Sequence, residues 1–208
     1  MGGLAGTFFD VMARGGVTMW PLLGLSVVSV SLILERTLYW WRTNGRAGRS
    51  EVARLADALR RSDRAAVESI AAARGSSYGR FAAAISTRGY SEAIAIEAIE
   101  AQRPEIDRFM VILSTVITAA PMLGILGTVL GIIQSFELLG GENILTDPKE
   151  VSAGIAEALI TTASGLTVAL LTLFPFMAFK AQSERALGRM EALAAAAAQG
   201  HSSSKPGA

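Results

Sequence analysis

Two long uncharged stretches of this 208-residue chain carry hydroxyl and small residues where a plain membrane anchor would carry leucine. One reads Ala120-Pro121-Met122-Leu123-Gly124-Ile125-Leu126-Gly127-Thr128-Val129-Leu130-Gly131, and the other runs from Gly154 through Glu157, Thr161, Thr162 and Ser164 to Gly165-Leu166. Helical residues seven apart share a face, so Ser114, Pro121, Thr128 and Ser135 form one stripe with Gly124 and Gly131 beside it. In the second stretch Glu157, Thr161 and Ser164 share a face. Gly165 and Thr172 are within reach, and Thr162 points roughly a third of a turn further round. Glycines let backbones approach closely in lipid, and hydroxyls give an apolar wall polar contact points. A carboxylate at the mouth of such a wall is costly unless it meets water or a partner. Together these features suggest an ion path.

Each residue also has a plainer reading. Gly127-x-x-x-Gly131 is a helix-packing pattern, an intramembrane Ser or Thr commonly bonds its own i−4 carbonyl, and Glu157 suits a helix start through the dipole. The chemistry also has a limit. No residue in 109–136 or 158–179 titrates, so the chain alone cannot relay a proton through a bilayer core. The missing carboxylate must come from a partner or from water. One charge crossing 100 mV releases about 2.3 kcal/mol, enough to bias a step between near-equivalent sites.

The elements that must position these residues are membrane helices. The chain is 51% hydrophobic with a mean hydropathy of +0.41, high for a soluble domain. Uncharged apolar runs cover 17–34, 109–136 and 158–179, and a bilayer core needs about 20 apolar helical residues. The second run exceeds that need, so it should tilt or continue into water. The predicted fold is an all-α membrane protein with three transmembrane helices, long cytoplasmic helical extensions and a ring-forming assembly. Its order is an outer-face segment 1–16, transmembrane helices at 17–41, 109–137 and 150–180, a cytoplasmic helical segment 42–108, a periplasmic loop 138–149, a cytoplasmic extension 181–198 and a disordered tail 199–208.

Charge distribution orients the spans. Residues 42–108 hold 12 arginines and 9 acids, whereas 137–157 hold one lysine and five acids. With Lys180, Arg185 and Arg189 after the third span, the positive-inside rule puts 42–108 and the C-terminus in the cytoplasm. A net charge of +1 gives no sign of a nucleic-acid surface. The chain has no cysteine, hence no disulfide or thiolate metal site. Its single histidine, His201, lies in the polar tail and is read as inert. The first apolar run lacks the basic n-region and cleavage site of a signal peptide.

Local signals refine this layout. Residues 4–14 suit a short amphipathic interfacial helix that Gly15-Gly16 ends. Trp20 and Tyr39-Trp40-Trp41 suit the two interfacial belts. Ser62 is a candidate N-cap between two short helices, Arg74 to Ser77 reads as a turn, and Ser91 is a candidate cap for a longer helix toward the membrane that Pro104 kinks or interrupts. The third helix should start near Lys149 or Glu150 and continue for roughly 50 residues, since Lys180–Gln199 is rich in strong helix formers. Pro175 is the candidate kink.

The Ala-Pro-x-Leu-Gly-x-x-Gly-Thr-Val-x-Gly block of 120–131, and Gly154-Ile155-Ala156-Glu157-Ala158-Leu159 followed by Thr162 and Gly165, resemble the second- and third-span signatures of the MotA/TolQ/ExbB proton channel family. Trp20-Pro21-Leu22-Leu23 through Glu35-Arg36 is also similar. The likeness covers roughly 15–185, and three spans fit the ExbB/TolQ branch. The resemblance implies a pentamer around two copies of a single-span ExbD/TolR-like partner that supplies a membrane aspartate. It also implies a location in the bacterial inner membrane, a periplasmic or TonB-like target, and coupling of the proton motive force to an envelope process. Thr128 and Thr162 match the family's channel-lining threonines and Glu157 its outer acidic position. Thr161, Ser164 and Ser135 extend that path, and Pro121, Gly124, Gly127, Gly131 and Gly165 form its wall. Leu171 stands where the family often has proline.

Thr161-Thr162 also resembles sodium-using stators, in which adjacent hydroxyls complete an oxygen cage. Rival readings are a structural scaffold with glycine-packed helices and a small secondary transporter. The latter predicts inverted-repeat symmetry and broken midplane helices, and spans one and three are not alike. Neither a nucleophile–base pair, a metal set nor a phosphate loop is visible, so an enzyme is not expected, nor a cofactor.

Overall fold

The computed structural model describes residues 16–140 and 148–203. The amphipathic segment expected over 4–14 and most of the 138–149 loop lie outside the described residues. Eight helices follow in order among the described residues: α1 Met19–Asn44, α2 Arg46–Arg60, α3 Arg64–Arg74, α4 Ser77–Arg88, α5 Glu92–Glu100, α6 Arg103–Ile106, α7 Met110–Gly140 and α8 Pro148–Ser203. No strand occurs among the described residues. Helices α1, α7 and α8 are long and apolar enough to cross a membrane.

The chain divides into two compact units. The first holds α1 up to Leu34, α7 from Val111 and α8 up to Phe176. Along α7 the buried stripe is Leu113, Val116, Ala120, Gly124, Gly127, Gly131 and Ser135, and along α8 it is Ala158, Thr161, Gly165, Ala169 and Thr172. Both repeat at steps of three and four, the period of one helix face. Their register is antiparallel. A methyl group built on Gly165 would meet the Ala120 carbonyl, one on Gly124 would come within 3.0 Å of the Thr162 Cα, and one on Gly131 within 2.9 Å of the Ala158 Cβ. Met19, Leu22, Ala120 and Ala169 form the apolar centre, with Leu25, Leu123 and Val168 packed on it. The remaining faces carry exposed apolar side chains such as Leu159, Leu171 and Phe174, which suits a lipid-facing surface.

The second unit holds α1 from Glu35, the helices α2 to α6, and α8 from Met177. Its core is conventional: Leu55, Val67, Tyr78, Phe81, Ile106, Met190 and Leu193 are each almost fully buried. Buried Arg36 donates to the carbonyls of Glu105 (3.1 Å) and Ile106 (2.8 Å), meeting acceptors that a helix end leaves open. Its guanidinium also lies 4.2 Å from the Tyr39 ring centroid, a cation–π distance. Glu51, also buried, accepts from the Ser76 hydroxyl and pairs with Arg74 at 3.5 Å. Tyr78 receives a 3.3 Å hydrogen bond from Arg189. Burial nevertheless outweighs that cation and raises the phenol above its ordinary pKa.

Three local expectations need correction. Asp63, not Ser62, caps α3 by accepting from Ala66 N at 3.0 Å, and Ser62 instead adopts a left-handed φ of 53°. Ser91 does cap a helix, but α5 ends at Glu100 instead of running to the membrane. Pro104 marks the expected interruption, and it sits in the first turn of the short α6, where its missing N–H costs nothing. A further break falls at Phe109, whose φ is 66°, and Asp107 beside it accepts from the Ser183 hydroxyl. Finally, the tail expected to be disordered from 199 is helical to Ser203. Gly200 permits this, because any side chain there would strike the Leu59 carbonyl.

Candidate functional site

The residues singled out for an ion path all lie on α7 and α8 within the first unit. Thr162 Oγ1 donates across the helix pair to the Gly124 carbonyl at 2.8 Å, a bond that only the close approach at Gly124 allows. Thr161 is buried and donates to the Glu157 carbonyl at 2.9 Å. Ser164 donates to the Ile160 carbonyl at 2.8 Å, and Thr128 to the Ile125 carbonyl at 2.6 Å. Ser135 is buried, bonding the Gly131 carbonyl at 2.9 Å and approaching the Val151 carbonyl at 3.4 Å. Each of these hydroxyls therefore directs its one proton to backbone and keeps acceptor lone pairs.

The helix pair brings together Gly124, Gly127, Gly131, Ser135, Thr161, Thr162 and Gly165. It does not bring Thr128 or Pro121 into that contact. Both are only half-buried, flanking the glycine stripe. Ser164 lies elsewhere again, beside a mostly apolar cavity of about 530 Å3 that Ser26 and Thr167 also line. The small-residue stripe and the hydroxyl stripe of α7 are thus adjacent faces with different surroundings.

Glu157 is half-buried one turn before Thr161. Its carboxylate stands against Gly16, in the place a Cβ there would occupy, and Gly16 has a φ of 62°. The turn at Gly16 continues into α1 through Met19 N to Gly16 O at 3.2 Å. The start of the first span therefore packs against the carboxylate, which the sequence pattern of α8 alone did not reveal.

A second contact was also missed. Ser29 and Thr172 are both buried and share a 2.6 Å hydrogen bond, and Thr172 Oγ1 also bonds the Val168 carbonyl at 2.8 Å. The serines at 26, 29 and 31, set in an otherwise apolar run, were the available signal. No group of acidic or histidine side chains able to hold a metal occurs among the described residues.

Comparison with known proteins gives this arrangement a context. Residues 66–192 match the family model described as the MotA/TolQ/ExbB proton channel family. The chain is similar to biopolymer transport protein ExbB-like 3 of Synechocystis sp., at 34% identity over 76% of this chain and 78% of that protein. ExbB-like 1 of the same organism is 36% identical over 80% and 68%. The Tol-Pal system protein TolQ of Pseudomonas aeruginosa is 38% identical over 44% of this chain and 39% of its own length.

Proposed function

Because the chain belongs to the MotA/TolQ/ExbB proton channel family, we propose that it is an inner-membrane motor subunit. In this reading it forms a pentamer, and a single-span ExbD/TolR-like partner supplies the titratable carboxylate. The proton motive force then drives a process in the cell envelope, with the N-terminus periplasmic and the C-terminus cytoplasmic. The orientation rests on the arginine-rich 42–108 segment and the acidic 137–157 segment.

One observation carries the reading. The apolar runs 109–136 and 158–179 contain no titratable side chain, yet the hydroxyls of Thr128, Thr161, Thr162 and Ser164 have each committed a proton to a carbonyl. Such oxygens can accept a hydrogen bond from a protonated carboxylic acid, or solvate a cation, but cannot carry the charge themselves. Thr128, on the half-exposed face, and Thr162, at the helix junction, would meet the partner's aspartate. Glu157 would attract cations at the outer mouth.

The test is proton uptake by liposomes that contain the chain and its co-purified partner. Thr162→Val, which keeps the shape but removes the hydroxyl, should abolish coupled flux while native mass spectrometry shows the same subunit count. Flux equal to wild type would remove Thr162 from the path. Uptake that follows sodium instead of protons would make the motor sodium-driven. A stable assembly that conducts neither ion and holds no single-span partner would favour the scaffold.

A further inference from the structure

We infer that the second unit binds the headgroup of an anionic phospholipid in a cleft between the end of α1 and the part of α8 just after Phe179. Two adjoining cavities, of about 330 and 380 Å3, share Asn44 and Gln182 in their walls. The first is aromatic, lined by Trp40, Trp41 and Phe179. The second is basic, lined by Arg49, Arg185 and Arg189 with no acidic residue.

Three observations point to a ligand here. Arg49 and Arg185 are exposed and, among the described residues, their guanidinium groups have neither a hydrogen bond nor an ion pair. Arg42, Arg46, Arg54 and Arg61 of the same unit are also unpaired through their side chains among the described residues, but none of them lines this cavity. What sets Arg49 and Arg185 apart is that they converge on one cleft with Arg189. Arg189 is held in place by Asn44 Oδ1 at 2.7 Å and Tyr78 Oη at 3.3 Å, and Asn44 is itself fixed by Gln182 at 2.9 Å. That side of the cleft is thus preorganised.

The third observation is the Trp40 indole. It is 2% exposed and lines the aromatic cavity, and its Nε1–H is buried without a hydrogen-bond partner. A buried donor left unmet is costly and needs an acceptor.

One molecule supplies both needs. A glycerophospholipid carries a phosphodiester anion, which suits a cluster of arginines, next to ester carbonyls, which are acceptors for an indole N–H. Tryptophans sit at headgroup level in membrane proteins, and basic pockets between membrane helices hold anionic headgroups. The carbonyl end would meet Trp40 and the phosphate end Arg49 and Arg185. A soluble phosphate would satisfy only the arginines.

The experiment is native mass spectrometry of the full-length, delipidated assembly in mild detergent, titrated with phosphatidylglycerol or with phosphatidylcholine of the same acyl chains. Phosphatidylglycerol should bind more tightly. Arg49→Gln and Arg185→Gln should each weaken it about fivefold, while Arg54→Gln, on the same helix but outside the cleft, should not. Trp40→Phe, which keeps a ring and removes the N–H, should weaken both lipids severalfold.

Equal binding of the two lipids would overturn the proposal. So would an Arg54→Gln effect as large as that of Arg49→Gln, which means diffuse surface charge. Displacement by glycerol phosphate as effective as by lipid would make this a free-phosphate site. Loss of subunits from the Arg49→Gln and Arg185→Gln assemblies with lipid binding intact would make it a subunit interface.

Discussion

The two units solve the same packing problem with opposite materials. In the unit of α1, α7 and α8 up to Phe176, the helices meet through Gly124, Gly131, Ala158 and Gly165, and apart from the Ser29–Thr172 pair their hydroxyls bond backbone carbonyls. In the unit built from α2 to α6 and the remainder of α1 and α8, the centre is filled by Tyr78, Phe81 and Leu55, and polar side chains bond one another across helices. Lipid tails are as apolar as leucine, so large side chains add no driving force between helices in a membrane, and close approach becomes the remaining source of attraction. In water the same volume of side chain is what stabilises the core.

This contrast is broken most directly by Phe81→Ala. Phe81 is fully buried in the α4 core, and truncating such a residue costs about 3–5 kcal/mol. Thermal unfolding followed by circular dichroism should show a large drop in midpoint. An unchanged midpoint would mean that this unit does not depend on its apolar core.

The equivalent break in the glycine-packed unit is smaller. A methyl group at Gly165 would meet the Ala120 carbonyl and come within 3.1 Å of the Gly124 Cα, and overpacking of this sort costs about 1–3 kcal/mol. Gly188 on the same helix has open space around its missing Cβ. Gly188→Ala should therefore stabilise by up to about 1 kcal/mol through helix propensity. Two glycines of α8 would thus respond with opposite sign in one unfolding assay. Stabilisation by both changes would show that propensity outweighs packing even at Gly165, and destabilisation by both would show that Gly188 is not free of packing constraints.

Much of this was legible from the residues, for a physical reason. An uncharged run long enough to cross a bilayer announces itself, and the glycine and hydroxyl positions of α7 and α8 follow from helical period alone. The spacing could not say which neighbouring stripe of α7 would be buried. Gly124 and Thr128 are both compatible with a contact face, and only the antiparallel register with Thr161 and Thr162 selects the glycines. The same limit applied to Gly16 and Glu157, which lie far apart in sequence, and to Ser29 with Thr172. Local signals failed where two residues competed. Ser62 and Asp63 are both good caps, and the one that satisfies Ala66 N is Asp63.

That competition sets the next smaller effect. Asp63→Ala should lower stability by about 1 kcal/mol through loss of the cap. Ser62→Gly should raise it by about 1 kcal/mol, because Ser62 holds a left-handed backbone that glycine adopts freely. Denaturant unfolding of the two variants gives the signs. A destabilised Ser62→Gly would return the cap to Ser62.

The smallest effect concerns surface charge in the second unit. Arg88 forks onto Glu97 with bonds of 2.7 and 2.8 Å, and these bonds hold the Glu97 carboxyl below its ordinary value of 4.5. A carboxylate with a depressed folded-state pKa contributes stability that is fully present above the unfolded value and is lost as pH falls through the folded one. The advantage of wild type over Glu97→Gln should therefore be constant at neutral pH and fade below about pH 4.5. Both side chains are solvent-exposed, so the difference should be slight and should shrink further in high salt. Unfolding midpoints measured across pH at two salt concentrations would show this. A difference that survives both acid and salt would mean that Glu97 acts through packing, and the second unit would then owe its stability to its apolar core with no measurable share from this ion pair.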